Sequence, residues 1–342
     1  MNNHRYDTSR GSPVDRVPTL TMGIDLDQRW GVRGLLGQRP HPIDDEIRRM
    51  PELVHRMMFL LADVQFPVTW MIPGALACSS WDEYFDIAPD DPVDLPSRHR
   101  ITLVDRDFDP SGGLHFFPTM VEEIARTEAQ QIGTLGFSAL DLGAPGVTAA
   151  DAVAEVTAAI QLLGHSYSAA VVSCAFPRGN VAFLDELREA TPIERYVMPL
   201  GTVEPPVGAT DVPHRRRLLG ALSPARAVGY PPGVDTVVVT HDVDLGLGPR
   251  QWERVARRLA ADLRTAAHGR NLHIRLTTRP RDFTVGRSER LRRFEHVVEL
   301  AEAAAAADRI LPVQLHDLRP PWRDSRGSVR ASEGLRDAAG AA

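Results

Sequence analysis

The sequence predicts an α/β protein whose parallel strands form a sheet or barrel. Three observations lead to this prediction: short apolar runs alternate with segments of helical period, charged residues follow several of those runs, and a 342-residue chain that is 43% hydrophobic can bury a large core. In such folds the residues that do chemistry lie just past the carboxyl ends of the strands. The polar residues that follow the apolar runs are therefore the first candidates for a site.

The predicted strands and helices alternate along most of the chain. Pro51 is typical of a first helical turn and Thr148 of a helix cap, so each marks the start of a helix. We predict strands at 19–26, 67–74, 132–139, 169–176, 195–200, 236–240 and 272–277, and helices at 51–64, 118–130, 148–163, 180–190, 250–268 and 291–308. The stretch 82–113 is acidic and proline-rich without a clear period, which predicts an irregular insertion.

The composition excludes several kinds of chemistry. All 39 basic residues are arginine, so the chain has no amine for a Schiff base, for a pyridoxal phosphate anchor or for a lysine-containing phosphate loop. The two cysteines, Cys78 and Cys174, are too few and too far apart for a disulfide framework or a zinc site. A net charge of −6 argues against nonspecific binding to nucleic acid or to a membrane surface. The glycines at 246–248 lack dinucleotide-binding spacing.

The two ends of the chain differ from its middle. Residues 1–17 are polar and lack the apolar region of an export signal, which predicts a disordered leader on a cytoplasmic protein. Residues 18–286 form the predicted barrel domain, and 287–342 a C-terminal helix followed by a disordered tail rich in arginine, glycine and alanine. The most apolar stretch, 57–77, contains two prolines and an aspartate, so we do not expect it to span a membrane.

Charged side chains at two predicted strand ends are the leading catalytic candidates. Asp25 and Asp27 are two residues apart, which puts them on one side of a regular strand, and paired carboxylates can divide acid, base and metal-binding roles. They could equally form a solvated loop pair or an ion pair with Arg29. His241, beside Asp242, follows a run of β-branched residues and can act as an oriented acid or base, or be structural.

The order of the motifs resembles that of the polysaccharide deacetylase superfamily, whose members share the NodB-type homology domain. TMGIDLDQRWG is similar to the family's first motif, PVTWMIPG to the strand that follows, VSCAFPRGN to the arginine loop of one subgroup and THDVDLGLGP to a late histidine loop. The resemblance covers about 19–283 and implies a distorted (β/α)7 barrel. We expect Asp25, Trp70, Arg178 and His241 to open onto one cleft of that barrel.

The resemblance also implies roles for individual residues. Asp25 matches the family's general base and Asp27 its metal-binding aspartate, whereas the two metal-binding histidines are replaced by Leu135 and Ala139. Because a catalytic zinc ion needs about three protein ligands, we predict no metal and no other cofactor, although a divalent metal stays possible. Arg178 matches the arginine of the loop, His241 matches the first late histidine, and Val243 replaces the second.

Three hypotheses for function follow. The first is a metal-independent enzyme acting on a small sugar- or amino-acid-derived metabolite by C–N hydrolysis, elimination or rearrangement. Its proton carriers would be Asp25 and His241, and the predicted substrate-binding residues are Asp27, Trp30, Trp70 and Arg178. The second is a noncatalytic protein of the same fold that binds a carbohydrate or a partner through its tryptophans. The third is a metal-dependent N-deacetylase with ligands rebuilt from Asp242, Asp244 or His115. The oligomeric state is left open.

Overall fold

The structure of the chain is a computed structural model, which describes residues 19–31, 43–90, 103–176, 182–199, 237–266, 272–278, 286–306 and 310–315. Its strands are β1 (Thr19–Asp25), β2 (Val68–Ile72), β3 (Gln130–Thr134), β4 (Ser173–Ala175), β5 (Arg195–Pro199), β6 (Val237–Asp244), β7 (Leu272–Thr277) and β8 (Leu311–Pro312). Its helices are α1 (Ile43–Arg48), α2 (Met50–Val64), α3 (Trp81–Ile87), α4 (Leu103–Phe108), α5 (Pro118–Arg126), α6 (Ala149–Tyr167), α7 (Leu184–Ala190), α8 (Pro249–Ala266) and α9 (Arg287–Ala306).

Seven parallel strands form a closed barrel. Each of β2 to β6 pairs with the next strand in sequence, and β1 pairs with both β2 and β7. The short strand β8 runs parallel to the beginning of β1, where it pairs with Thr19 and Leu20. Because the connections between these strands carry helices wherever the structure describes them, the architecture confirms the predicted distorted (β/α)7 barrel.

The barrel has an outer face that packs against helices and an inner face that lines the lumen. Side chains alternate along a strand, so residues that are paired in register share a face. Ile24, Trp70 and Ile132 form one such row, and all three belong to the core that includes the helices. Met71 belongs to the next row, level with Asp25, and packs in a separate cluster. The strand β1 is buried on both faces, as parallel strands usually are.

Local sequence signals account for the helix boundaries. Thr148 caps α6 in a capping box, in which its hydroxyl accepts from the Asp151 N–H and the Asp151 carboxylate accepts from the Thr148 N–H. Pro51 lies in the first turn of α2, which ends at Gln65 in a left-handed conformation. The Ser80 hydroxyl accepts from the Glu83 N–H at the start of α3.

Two expectations from the sequence are corrected by the structure. Residues 82–113 contain most of α3 and all of α4, so the acidic stretch is not wholly irregular. Strand β6 continues through the expected end at residue 240 and ends at Asp244, so His241 lies inside a strand and does not follow one. The strand continues to Asp244 because that residue is in register with Thr277 on the lumen-facing row, where a parallel barrel accepts a polar residue without ending the strand.

Helix α9 packs on the barrel, although the sequence predicts a boundary between the barrel domain and this helix at residue 286. Phe294, Val297 and Ala301 of α9 lie in the main core, and Arg290 and Arg293 of the same helix are buried. Among the helices in the described ranges, none is long and apolar enough to cross a membrane. The predicted leader, 1–17, and the tail after residue 315 lie outside the described residues.

Candidate active site

A buried ion pair closes the carboxyl end of β1. The Arg275 Nε–H donates to both carboxylate oxygens of Asp25 at 3.0 Å, and Nη2–H donates to Oδ2 at 2.6 Å. Arg275 Nη2–H also donates to the Phe176 carbonyl at 3.2 Å, and the Thr278 hydroxyl donates to the Asp25 carbonyl at 2.9 Å. Asp25 is 0% exposed and Arg275 is 3% exposed. The carboxylate is therefore held in one orientation by a charge-assisted, two-point contact.

The strand register brings two further polar residues level with Asp25. Asp25 pairs with Thr277 of β7, which in turn pairs with Asp244 of β6. The Gly246 N–H donates to Asp244 Oδ1 at 2.8 Å. Within the described part of the chain, the buried Thr277 hydroxyl has no hydrogen-bond partner. Since residues in register share a face, Asp25, Thr277 and Asp244 form a polar row at the carboxyl end of the lumen.

Asp27 lies just beyond β1, beside the first turn of a short helical segment. The Gly31 N–H donates to the Asp27 carbonyl at 3.0 Å, and Asp27 is 1% exposed. A Cβ atom at position 31 would lie 2.0 Å from Asp27 Oδ2. Position 31 must therefore be glycine for the carboxylate to keep this conformation.

The two tryptophans do not line the lumen as the sequence predicted. Trp70 is fully buried on the outer face of β2, where its indole N–H donates to Gln130 Oε1 at 2.8 Å. Trp30 is 2% exposed, stacks on Tyr84 and donates from its indole N–H to the His115 carbonyl at 2.8 Å. The physical reason is ordinary core packing, because each indole fills an interior position where its N–H finds an acceptor.

His115 belongs to a second buried pair, which the sequence suggested only as a rebuilt metal ligand. Its Nδ1 lies 2.9 Å from Asp109 Oδ2, and both side chains are buried. The His115 ring also contacts the rings of Trp30 and Trp81. Burial lowers the pKa of His115, although Asp109 opposes that shift. Burial raises the pKa of Asp109, but hydrogen bonds from His115 and the Leu114 N–H outweigh it, so the net pKa is lowered.

Helix α9 holds the rim of the barrel through two buried arginines. Arg290 Nη1–H donates to the Thr278 carbonyl at 3.1 Å, and Nη2–H donates to Glu46 Oε2 at 2.7 Å. Arg293 Nη1–H donates to the carbonyls of Leu245 and Leu247 at 2.9 Å and 2.5 Å. The segments that follow β6 and β7 are thus fixed to the same helix.

The residues at the two positions that match the family's metal-binding histidines do not fit a metal ion. Leu135 follows β3 and is buried in an apolar cluster, and Ala139 packs against that cluster. Apolar side chains offer no ligand atom. In the described ranges, no group of three or more histidine, cysteine, aspartate or glutamate side chains converges on one point.

The structure brings only part of the predicted site together. Asp25 and Asp27 lie at the carboxyl end of β1, as expected, while Arg178 lies outside the described residues. The backbone of His241 pairs with Ile274, three residues before β6 ends, and its side chain is outside the described part. Sequence reasoning missed Arg275. The sequence feature that could have revealed it is an arginine inside the apolar run LHIRLT. A buried strand accepts a charged residue only when that charge is paired, so this arginine indicates a buried acidic partner.

Comparison with solved structures identifies the fold. A polysaccharide deacetylase from Mycobacterium smegmatis is similar over 95% of this chain and 94% of its own, with 15% identity and a TM-score of 0.51. An allantoinase is similar over 91% and 92%, with 12% identity and a TM-score of 0.50. No protein-family model matches the sequence, and no curated protein does either. The chain therefore has the polysaccharide deacetylase fold, as its motifs predicted.

Proposed function

We propose that the chain is an enzyme that performs acid–base chemistry at the carboxyl end of the barrel without the metal of the deacetylase family. Its substrate would be a small sugar- or amino-acid-derived metabolite, and its reaction C–N hydrolysis, elimination or rearrangement. The observation that carries the proposal is the Asp25–Arg275 pair, with Asp25 level with Asp244 and two residues from Asp27. Buried charges are costly, and a cluster of them at the catalytic end of this fold supports a chemical role.

Asp25 would serve as the general base, with Arg275 as its positioning residue. Arg275 occupies one side of both carboxylate oxygens, so a substrate proton or a water molecule would have to approach their remaining lone pairs. Such fixed orientation is what a proton acceptor needs in order to act in a transition state. Thr277 would offer a hydroxyl to the substrate beside it.

The acid partner has two candidates. The sequence favours His241, which matches a family histidine, and this stays a prediction. The register favours Asp244, because its backbone lies in the same row as Asp25, while His241 is three residues earlier in β6. Variants at the two positions distinguish these assignments.

The apolar environment of Leu135 and Ala139 supports chemistry without the family's metal. The hypothesis of a sugar-binding, noncatalytic protein loses its main support, because Trp30 and Trp70 are buried and present no ring face to a ligand. One similar solved structure is named an allantoinase, and this name supports the proposal of a small substrate.

The test is consumption of a metabolite from a mixture of N-acylated sugars and amino acids by the full-length protein, followed by mass spectrometry. We expect consumption to survive excess chelator and to fall ~10²–10⁴-fold in Asp25→Asn and in the variant that removes the true acid, His241→Ala or Asp244→Asn. Asp25→Glu, which keeps the charge but displaces the carboxylate, is the second variant at this position. Asp63→Asn, an exposed aspartate of α2, is the matched control.

Two outcomes would contradict the proposal. Loss of activity with chelator and its return with added zinc would show that a metal is required. Full activity of both Asp25 variants, at a temperature where circular dichroism shows them folded, would show that the catalytic site does not lie at the carboxyl end of the barrel.

A further inference from the structure

The C-terminal segment 310–315 reaches into the barrel. It begins with β8, which pairs with Thr19 and Leu20 of β1, and the Val313 N–H donates to the Leu20 carbonyl at 3.0 Å. Two residues after Val313, Leu315 is 0% exposed. The isobutyl group of Leu315 thus ends in the interior of the protein.

Leu315 occupies the apolar part of the lumen. It packs with Met71, Leu135, Ala175 and Val197, and Ala139 packs against the same cluster. These residues come from β2, from the ends of β3 and β4, and from β5, on the side of the lumen across from the polar row of β1, β7 and β6. Met71 is the register partner of Asp25, so the cluster borders the proposed catalytic carboxylate.

The same cluster contains both positions that match the metal-binding histidines of the resembled family. Where that family would have two imidazoles, this chain has Leu135 and Ala139, and the space beside them holds a leucine side chain from the C-terminal segment. The region beside Asp25 is therefore shaped for a branched alkyl group.

We propose that this apolar pocket binds a small branched aliphatic group of the ligand, and that Leu315 is its resident occupant, which the ligand displaces. The ligand class is an amide or carboxylic acid with a branched alkyl chain of leucine size. The identification of this ligand as substrate rests on the proposed function, because its polar end would then meet Asp25. Departure of the segment would also give the buried Asp25 access to the ligand.

The attachment of the segment fits a displaceable occupant. β8 has only two residues, and one of them, Pro312, has no N–H to donate to the sheet. Ile310, where the segment begins, is buried in the main core, whereas Leu311, Pro312, Val313 and Gln314 are only partly buried. Leu315 is therefore the anchor of the part of the segment that follows Ile310. Peripheral segments with few buried contacts open at a lower free-energy cost than the core.

The experiment uses the full-length protein and isocaproamide, a neutral amide that carries the isobutyl group of leucine. Leu315→Ala should bind this probe at least about tenfold more tightly than wild type, because its pocket is already vacant. The signal of the Met71 methyl group in ¹³C-methyl-methionine spectra reports the binding. Leu311→Ala, a partly buried leucine of the same segment, is the matched control and should bind like wild type.

Hydrogen exchange in the wild type separates a displaceable occupant from a permanent part of the core. With saturating isocaproamide, the Val313 amide should exchange faster, because its bond to the Leu20 carbonyl breaks when the segment leaves. The Leu26 amide, which donates to the Met71 carbonyl nearby, should be unchanged.

Three results would overturn the inference: no binding to Leu315→Ala, no binding to wild type up to the solubility limit of the probe, or saturation of wild type without faster Val313 exchange. All three readouts are independent of turnover. Failure of the acid–base proposal would therefore leave the binding result intact, and failure of probe binding would leave the activity of the Asp25 variants to be judged separately.

Discussion

Asp25 and Arg275 are 250 residues apart in sequence, and in the barrel they form a two-point ion pair whose shortest contact is 2.6 Å. Removing two such charges from water costs several kcal/mol per ion, which only close geometry and further hydrogen bonds offset. Arg275 meets this requirement by donating also to the Phe176 carbonyl, at the end of β4. The pair therefore connects β1, β7 and the segment after β4 through the lumen.

Breaking this pair should destabilise the fold strongly. Arg275→Met removes the guanidinium that compensates the buried Asp25 charge, and we expect a loss of about 3–5 kcal/mol in the free energy of unfolding. The double variant Asp25→Leu/Arg275→Met should lose much less than the sum of the single variants, since no charge then stays buried. Urea unfolding of the four proteins measures the coupling.

A surface pair provides the control. Arg126 and Glu122 form an exposed contact of 2.6 Å on α5, and Glu122→Gln should change the stability by at most ~0.5 kcal/mol. If Arg275→Met lowered the free energy of unfolding by no more than this amount, the buried pair would stabilise the fold no more than the surface pair does.

The alternation of strands and helices could be predicted because it depends on local sequence. The capped helix at Thr148 and the strand at 195–200 were found within a few residues of their observed bounds, since each has its own periodicity and boundary signals. The family motifs then gave the barrel and the position of Asp25.

Contacts between distant segments could not be predicted in the same way. Nothing near Asp25 in sequence indicates that its partner is Arg275, and nothing near Leu315 indicates that it fills the lumen. Trp70 illustrates the same limit, because the face of a buried strand depends on its register with both neighbours. The motif predicted the strand correctly, but the expectation that Trp70 opens onto the cleft was wrong.

The pair of His115 and Asp109 should make stability depend on pH. Because the pKa of His115 is lowered in the folded protein, the unfolded state binds the proton more readily. The stabilising contribution is complete above the unfolded pKa of about 6.5 and declines as the pH falls below it. The pKa of Asp109 is also lowered, so this carboxylate adds a further loss of stability only at more acidic pH.

His115→Gln, which keeps a hydrogen-bond donor for Asp109, should remove the histidine contribution. The difference in urea midpoint between wild type and this variant should shrink steadily from pH 7.5 to pH 5. His55→Gln, a histidine substitution at an exposed position on α2, is the matched control. A constant difference between wild type and His115→Gln would show that His115 is not held neutral.

Both thiols should be unreactive in the native protein. Burial raises the pKa of Cys78 and of Cys174 to about 12, so neither forms the nucleophilic thiolate near neutral pH. Ellman's reagent at pH 8 should react with neither thiol until denaturant is added. Ser288→Cys introduces an exposed thiol on α9 and should add one fast-reacting equivalent. Fast reaction of the native wild type would reveal that the barrel opens locally at β4 or after β2.

Gly31 should be required for the conformation of Asp27. In Gly31→Ala the new methyl group would lie 2.0 Å from Asp27 Oδ2, far inside van der Waals contact, so the buried carboxylate must leave its position. We expect a loss of about 1–3 kcal/mol in the free energy of unfolding, typical of overpacking in a closed interior. Gly286→Ala, where a methyl group would meet nothing within 4 Å, should change the stability by less than ~1 kcal/mol.

A double-variant cycle identifies the source of that loss. If the clash with the carboxylate is the cause, Gly31→Ala should cost little in an Asp27→Ala background, because the methyl group then fills space that the carboxylate has left. Urea unfolding of wild type, both single variants and the double variant gives the interaction free energy between positions 27 and 31. An unchanged cost of Gly31→Ala in the Asp27→Ala background would show that the helical turn itself requires glycine, and that the position of Asp27 does not depend on Gly31.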